Sequence, residues 1–576
     1  MDQAFVSTRS AHYKWIALSN TTLGVLMASI NGTILIIALP VIFSGIHVNP
    51  LASGQSSLLL WVMLSFNIAT TVLLVMFGRL SDLYGRVRLY NLGFAIFTVG
   101  SILSALTWST GTAGEVELIV FRIVQGIGGA FLFSNSSAIL TDAFPMNQRG
   151  LALGLNQIAA IGGSVIGLVL GGLLAATGQW RSIFLVSVPI GLIGTVWAYI
   201  ALQELTKRAT DTRLDIWGNI TLAVGITGIM LGLTYGIMPY AGQPMGWTNP
   251  WVLTALIGGV IVLGLFIWIE NIIASPMFNM SLFRIRPFAA GNISAFLAAL
   301  ARGGLQFMLI IWLQGIWLPM HGVSYANTPL QAGIDTLPQT AGFLLAGPLS
   351  GFLSDHFGSR LFATAGMLLT AIGFFLLTTL NVNFPFVPFA IYLFIIGFGM
   401  GLFASPNSAA IMNSVPAKFR GVASGMLATF NNAGMMMSMG VFFSIVIAGL
   451  SARLPAALSK GLLAQGLPLL LVKKVAGLPP TASLFAALLG YNPLQSMVPA
   501  QALAALPKHN VLEITGHSFF PSLIGTPFMH GLAMAFYISM GLSVIAAIAS
   551  WMRGQHFVHD DEESTIQHAA SAAASE

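Results

Sequence analysis

The sequence predicts an all-α polytopic membrane protein with fourteen transmembrane helices. Three observations predict it. First, only 7% of the 576 residues are charged while 56% are hydrophobic, whereas a soluble domain carries about 25% charged residues. Second, apolar stretches of about twenty residues recur along the chain, the length a helix needs to cross about 30 Å of hydrocarbon. Third, the charges gather in short clusters between those stretches. In lipid only helices and closed barrels satisfy their own backbone, and runs this long are not the roughly ten-residue alternating strands of a barrel. The chain has no cysteine, which excludes disulfides, thiolate metal sites and cysteine nucleophiles. Its net charge of +6 reads as the orientation of membrane loops and not as a nucleic-acid partner. Residues 1–15 do not read as a cleavable signal, since the first apolar run is long enough to span and no small-residue cleavage site follows it.

The spans fall at 15–41, 56–78, 88–108, 116–140, 149–175, 181–202, 214–237, 250–271, 289–315, 328–350, 360–380, 386–412, 421–450 and 529–552. With the N-terminus in the cytoplasm, the inner segments hold Arg9, Lys14, Arg79, Arg86, Arg88, Arg149, Lys207, Arg208, Arg213, Arg284, Arg286, Arg360, Lys418, Arg420 and Arg553. The short outer loops then hold only Arg181. That asymmetry is the positive-inside bias, from which the long segment 451–528 is exempt. The expected location is the cytoplasmic membrane, multi-pass, with both termini inside. The tail 553–576 is polar, acidic and rich in Ala and Ser, the composition of a disordered segment.

The chain also resembles itself. Gly128–Gly154 aligns without gaps on Gly399–Gly425, an offset of 271 (399 minus 128), with Ser137, Pro145 and Arg149 falling on Ser408, Pro416 and Arg420. Upstream, Gly78–Arg86 aligns on Gly351–Ser359 at an offset of 273 (351 minus 78). The domain organisation that follows is an N-terminal six-helix half (1–205), two inserted helices (206–280) and a C-terminal six-helix half (281–552). Parallel halves of this kind rock about a site near the bilayer midplane.

The loop after the second span reads Gly78-Arg79-Leu80-Ser81-Asp82-Leu83-Tyr84-Gly85-Arg86. Its glycines let helix ends approach, and Asp82 can sit at a helix N-terminus and pair with an arginine; Asp355 and Gly358 take the equivalent places in the second half. The fourth span carries Arg122-Ile123-Val124-Gln125-Gly126, an intramembrane arginine that needs a cavity or a partner. The fifth carries Gly162, Gly163, Gly167, Gly171 and Gly172, at spacings that allow close helix packing. The first reads Asn31-Gly32-Thr33-Ile34 through Ala38-Leu39-Pro40. Together these resemble the gating loop, the R-x-x-Q-G motif, the antiporter motif and the first-helix motif of the fourteen-span drug:proton antiporters of the major facilitator superfamily. There are departures. Leu168 stands where the antiporter motif has proline. Asn31 replaces the first-helix aspartate, and Ile36 its asparagine. A buried aspartate can titrate and carry a proton; asparagine cannot.

The proton-coupling candidates are therefore Arg122 with Glu115, Glu117 and Asp335. Arg302 is a second intramembrane cation, with Asp335 as a possible partner in sequence terms. The resemblance implies a cavity lined by spans 1, 2, 4, 5, 9, 10, 12 and 13. Its polar candidates are Asn31, Asn67, Gln125, Asn156, Gln157, Arg302, Gln306, Gln314, Asn407, Asn431 and Asn432, with Met436 supplying adaptable apolar surface. A mostly apolar cavity with scattered amides suits amphipathic or lipid-like cargo. The segment 451–528, rich in Leu, Ala and Pro, predicts a small ordered helical cap in which stretches such as Ser483–Leu489 lie on the membrane or over the cavity.

The resemblance implies a monomeric exporter of amphipathic small molecules that exchanges them for protons. It needs no cofactor or metal, is no enzyme, and has lipids around it. The sequence has no G-x-x-x-x-G-K-S/T phosphate loop. One alternative is a lipid or lipid-precursor transporter on the same fold; another is a non-transporting sensor, against which the repeated gating loop argues.

Overall fold

Continuous apolar runs with no periodic polar stripe make helices that are buried or lipid-facing all round, and such helices dominate the chain. The computed structural model describes residues 12–48, 55–145, 148–205, 215–273, 276–416 and 419–554. Thirteen helices among them are long and apolar enough to cross a bilayer. The first half contains α1 (Tyr13–Gly45), α2 (Gln55–Tyr84), α3 (Arg86–Leu106), α4 (Gly111–Ala143), α5 (Arg149–Ala176) and a sixth span in two pieces, α6 (Trp180–Leu185) and α7 (Ser187–Ala201). The inserted pair is α8 (Ile216–Gly236) and α9 (Pro250–Ile272).

The second half opens with α10 (Arg286–Trp312), which passes through a π-helical turn at Leu313–Trp317 into the short α11 (Leu318–Met320). The predicted tenth span, 328–350, is divided at Thr336 into α12 (Thr328–Asp335) and α13 (Leu337–Phe357), and α13 is not among the thirteen. Then come α14 (Ser359–Thr378), α15 (Phe386–Asn413), α16 (Arg420–Ala464) and, after five short helices, α22 (Phe519–Trp551). The short helices are α17 (Leu469–Ala476), α18 (Pro480–Leu488), α19 (Pro493–Met497), α20 (Ala500–Ala504) and α21 (Lys508–Thr515). The thirteenth predicted span, 421–450, thus runs on to Ala464, and the fourteenth begins at Phe519 and not at 529. At 45 residues and 1.5 Å rise per residue, α16 is roughly 68 Å long, over twice the thickness of a bilayer core. The tail beyond Gly554 lies outside the described residues.

The same helix pairings recur in both halves. α1 packs on α5 as α10 packs on α16; α2 and α3 pack on α4 as α13 and α14 pack on α15; α3 meets α7 as α14 meets α22. The repeat is carried by glycines that bring backbones together. A Cβ on Gly128 of α4 would lie 2.5 Å from Phe97 N and 2.8 Å from Gly93 O of α3. One on Gly399 of α15 would lie 2.6 Å from Gly366 O of α14. Likewise Gly163 seats α5 on Leu26 O (2.7 Å), and its counterpart Gly434 seats α16 on Phe296 O (2.8 Å). Gly167 and Gly171 continue the first seam, one turn apart each, against Ile30 O and Ile34 O. The glycines of the fifth span are therefore a packing seam, tied further by Thr33 Oγ1 donating to Ser164 O at 3.0 Å.

One end of the bundle carries the basic turns 78–88 and 351–360; we call it the basic end. At the far end the two halves touch. A Cβ on Gly172 of α5 would lie 2.5 Å from Leu330 Cα of α12, and one on Gly333 would lie 3.1 Å from Leu168 O. Gln314, in the π turn, donates to Ile37 O of α1 at 3.3 Å. Helix α18 is buried along its whole length. It packs on the π turn, α16 and α22 of the second half and on α2 of the first.

Candidate transport site and gating cluster

At the basic end three acids converge on the start of α3. Asp82 Oδ1 accepts from Arg86 Nε (3.0 Å) and Nη2 (2.8 Å). Arg86 Nη1 reaches both oxygens of Asp142, at the end of α4, at 2.7 and 2.8 Å. Glu204 takes the helix N-terminus itself: its carboxylate accepts from the backbone N–H of Arg86 (2.9 Å) and Val87 (3.1 Å). Anions at a helix N-terminus answer the unpaired N–H groups and the macrodipole. Gly85 makes room, with φ of 106° and a Cβ position 2.7 Å from Glu204 Oε2. The sequence pairs Asp82 with an arginine, as found; it places Asp82 at the helix start, where Glu204 sits instead. Gly78 has open space around it, with only Ser134 Cβ near, at 3.9 Å. Arg79 Nη2 donates to Pro276 O at 3.1 Å, tying α2 to the chain that leads into the second half.

The second half closes the same end differently. Gly358 turns the chain into α14 with φ of 86°; the side chain of Asp355 lies outside the described residues. Three arginines surround the C-terminus of α22. Arg360 stacks 3.7 Å over Trp551, Arg286 Nε donates to Met552 O at 2.7 Å, and the buried Arg553 donates to Asn407 Oδ1. Cations there meet the negative end of the helix dipole. Asn407 also donates to Gly291 O at 3.2 Å, so this cavity candidate belongs to the helix-end cluster.

Deeper in the first half, Arg122 is 1% exposed. Its Nη1 donates to Asn31 Oδ1 at 2.5 Å and to Gln125 Oε1 at 3.2 Å, and Gln125 Nε2 passes on to Ser101 Oγ at 2.8 Å. The guanidinium lies 4.8 Å over the Phe66 ring, and its Nε has no partner. No ion pair to Arg122 forms among the described residues. The sequence singles out Arg122 and Asn31 separately; folding brings them together, so the neutral residue in the first-helix motif is the one that faces the buried cation.

The acids divide. Glu115 is fully buried and neither carboxyl oxygen has a partner. Glu117 instead accepts from Ser109 N at 3.1 Å and stabilises the turn before α4. Asp335 is buried and accepts from Gln331 Nε2 at 2.9 Å. The pairing of Arg302 with Asp335 does not occur: neither takes part in an ion pair among the described residues.

Among the remaining cavity candidates, Asn156 accepts from Ser136 Oγ at 3.2 Å, linking α5 to α4. Asn67, Asn431 and Asn432 donate to carbonyls of their own helices, Met63, Leu427 and Ala428. Gln157 is exposed, Met436 is buried, and Gln306 Nε2 is buried without a partner. Asp142 and Glu204 are the site residues that sequence reasoning did not assign. Each shows in the sequence only as an acid near the end of an apolar run.

Two six-helix units built on one scheme, joined by an inserted pair and carrying a charged turn at the basic end, define a membrane transporter of the two-fold repeat class. The chain matches the profile of the Major Facilitator Superfamily over residues 21–335 and 293–484, and it belongs to that superfamily. It is 29% identical over 414 residues to the riboflavin transporter RibZ of Clostridioides difficile (strain 630), covering 71% of this chain and 83% of the relative. It is 27% identical to the tetracenomycin C resistance and export protein of Streptomyces glaucescens, covering 71% of each. It is also 27% identical to multidrug resistance protein 3 of Bacillus subtilis (strain 168), covering 73% of this chain and 76% of that one. Among solved structures it shares its fold with an autoinhibited peptide transporter of the POT family (TM-score 0.58, 11% identity, 94% of this chain and 98% of that one). A bacterial homologue of the human lysosomal transporter Spinster, in an inward-facing conformation, gives a TM-score of 0.56 at 16% identity over 94% and 97%.

Proposed function

We propose that this protein is a secondary active exporter of amphipathic small molecules, working by alternating access in the cytoplasmic membrane with its basic end and both termini inside. The observation that carries the reading is the placement of contacts. The two halves touch at the far end through α5 and α12, while the breakable Asp82–Arg86–Asp142 ion pairs hold the basic end of one half. Rocking of one half on the other would part the first contact and remake a second at the basic end. Relatives named for drug resistance and export support the direction and the cargo class. For a proton to drive export, a titratable group must face the path. Asn31 does not titrate, and Glu115, buried on the same helix as Arg122, is the residue we assign to that role.

The test is flux of an amphipathic fluorophore from proteoliposomes, with and without an imposed pH gradient. We expect export to accelerate with the gradient. Export indifferent to it removes proton coupling and leaves the transporter; no export of any drug-like probe, with transfer of labelled lipid instead, moves the cargo to lipids.

A further inference from the structure

The inserted helices carry a feature that the exporter reading does not use. Asp215 caps α8 and Glu270 lies in the last turn of α9, and they are 4% and 2% exposed. Each spends one oxygen on a backbone N–H. Asp215 Oδ1 accepts from Gly218 N at 2.7 Å, and Glu270 Oε2 accepts from Phe278 N at 2.8 Å. The other two oxygens, Asp215 Oδ2 and Glu270 Oε1, are buried and have no donor. They turn toward each other, and both crowd the same space beside Gly218. A Cβ there would lie 2.2 Å from Oδ2 and 2.7 Å from Oε1.

Two bare carboxylate oxygens buried around one point repel, and a proton between them removes the repulsion by making one oxygen a donor. No lysine, arginine or histidine forms an ion pair with either among the described residues. On the elements packed nearby, Arg79 of α2 gives its hydrogen bond to Pro276 O, and Arg284, closing the short helix Met280–Arg284, pairs with neither acid. We infer that Asp215 and Glu270 form a proton-binding site that holds one shared proton, Oδ2–H···Oε1 or the reverse, with a total charge of −1, at the basic end of the inserted pair.

The site has a mechanical neighbour. The chain it holds through Phe278 N is the link between the halves. Pro276 receives Arg79 from the first half, and Phe278 stacks edge-on to Phe266 of α9 (5.4 Å) and Phe430 of α16 (6.2 Å) in the second. Loss of the proton leaves two like charges side by side in a buried site and weakens the joint that fixes this link. Proton occupancy at the basic end thus bears on how firmly the two halves are tied together.

The experiment is infrared titration of the full-length protein in lipid vesicles, following the carbonyl-stretch band of protonated carboxyls. Asp215→Asn or Glu270→Gln supplies an amide donor to the remaining carboxylate and keeps the acceptor for the backbone N–H. We expect each single variant to lose the same one-carboxyl component of the band, and the double variant to lose no more than either. A band unchanged in all three variants, or losses that add in the double, overturns the shared proton. Should a variant fail to fold, carbon-13 labelling of aspartate or glutamate carboxyls in the parent assigns the band without substitution. A band that carries neither an aspartate nor a glutamate component titrating as one group overturns it equally. The readout is independent of transport, so failure of the exporter reading would leave it standing and vice versa.

Discussion

Replacing Asn31 by aspartate should invert the charge preference of the transport site. Asn31 Oδ1 accepts from Arg122 Nη1 at 2.5 Å, so Asn31→Asp places a carboxylate against the guanidinium without changing the shape of either side chain. At about 4 Å between charge centres and an effective dielectric near 20, the new pair gains roughly 4 kcal/mol. Burying the extra ion costs several kcal/mol, so the variant should fold, with stability within about 2 kcal/mol of the parent. Its effect on cargo is larger. A charged group of the substrate about 6 Å from the new carboxylate feels a change of roughly 3 kcal/mol, a factor of about 100. The assay is proteoliposome export of two fluorophores matched in size and apolar surface, one anionic and one cationic. The ratio of their kcat/KM values should swing toward the cation by one to two orders of magnitude, and a pH dependence should appear that the parent lacks at this position. An unchanged ratio in a variant that still transports would mean that Arg122 and Asn31 do not face the cargo, and the placement of the site would fall.

Further outcomes follow from the same contacts. Neutralising Glu115, Glu117 and Asp335 together should abolish pH-driven flux, and Glu115→Gln alone should account for most of the loss, because Glu117 and Asp335 already hold hydrogen bonds to Ser109 N and Gln331; unchanged gradient-driven export in the triple variant rejects all three. Asp82→Asn and Asp142→Asn should each slow turnover several-fold with normal membrane insertion. Each removes one charged partner of a partly exposed Arg86, worth about 1 kcal/mol, and normal turnover in both would remove the gating role. Gly128→Ala and Gly399→Ala should each lower the unfolding midpoint, since the added methyl meets backbone at 2.5 and 2.6 Å and overpacking costs about 1–3 kcal/mol. Gly32→Ala, with nothing within 4 Å of its Cβ position, serves as the neutral or mildly stabilising control, and equal midpoints for all three would refute the seam.

The helices were legible in the sequence because the bilayer demands a local property, twenty apolar residues in a row. The repeat was legible for a related reason: Gly128 and Gly399 cannot drift without separating α3 from α4 or α14 from α15. Side-chain partnerships were not. Arg122 and Asn31 are 91 positions apart, Arg86 and Asp142 are 56 apart, and Glu204 caps a helix that starts 118 positions earlier. Nothing local announces such pairs. The sequence places the end of α16 short because Arg453, Pro455 and Lys460 interrupt its apolar run. Those residues break a membrane-type apolar run, but a helix needs no such run to continue, and this one continues to Ala464 with Leu454, Leu458 and Leu462 buried. For Ser483–Leu489 the sequence leaves open a place on the membrane or over the cavity, because its apolar residues have no visible partner. The partner is the far-end junction of α2, the π turn, α16 and α22, which exists only once both halves are folded.

The two halves keep the repeat in their backbones and abandon it in their charges. Gly128 and Gly163 keep their backbone contacts in Gly399 and Gly434, yet Arg86 and Asp142 correspond to Ser359 and Asn413, which cannot form an ion pair. In their place the second half gathers Arg286, Arg360 and Arg553 around the end of α22. A backbone seam with no room for a Cβ resists change, because any side chain added there separates two helices. A helix-end cluster answers only to the local balance of charge and dipole, so it can be rebuilt on either side independently. The basic end therefore carries an acidic-and-arginine cluster on one half and an arginine cluster without a carboxylate partner among the described residues on the other.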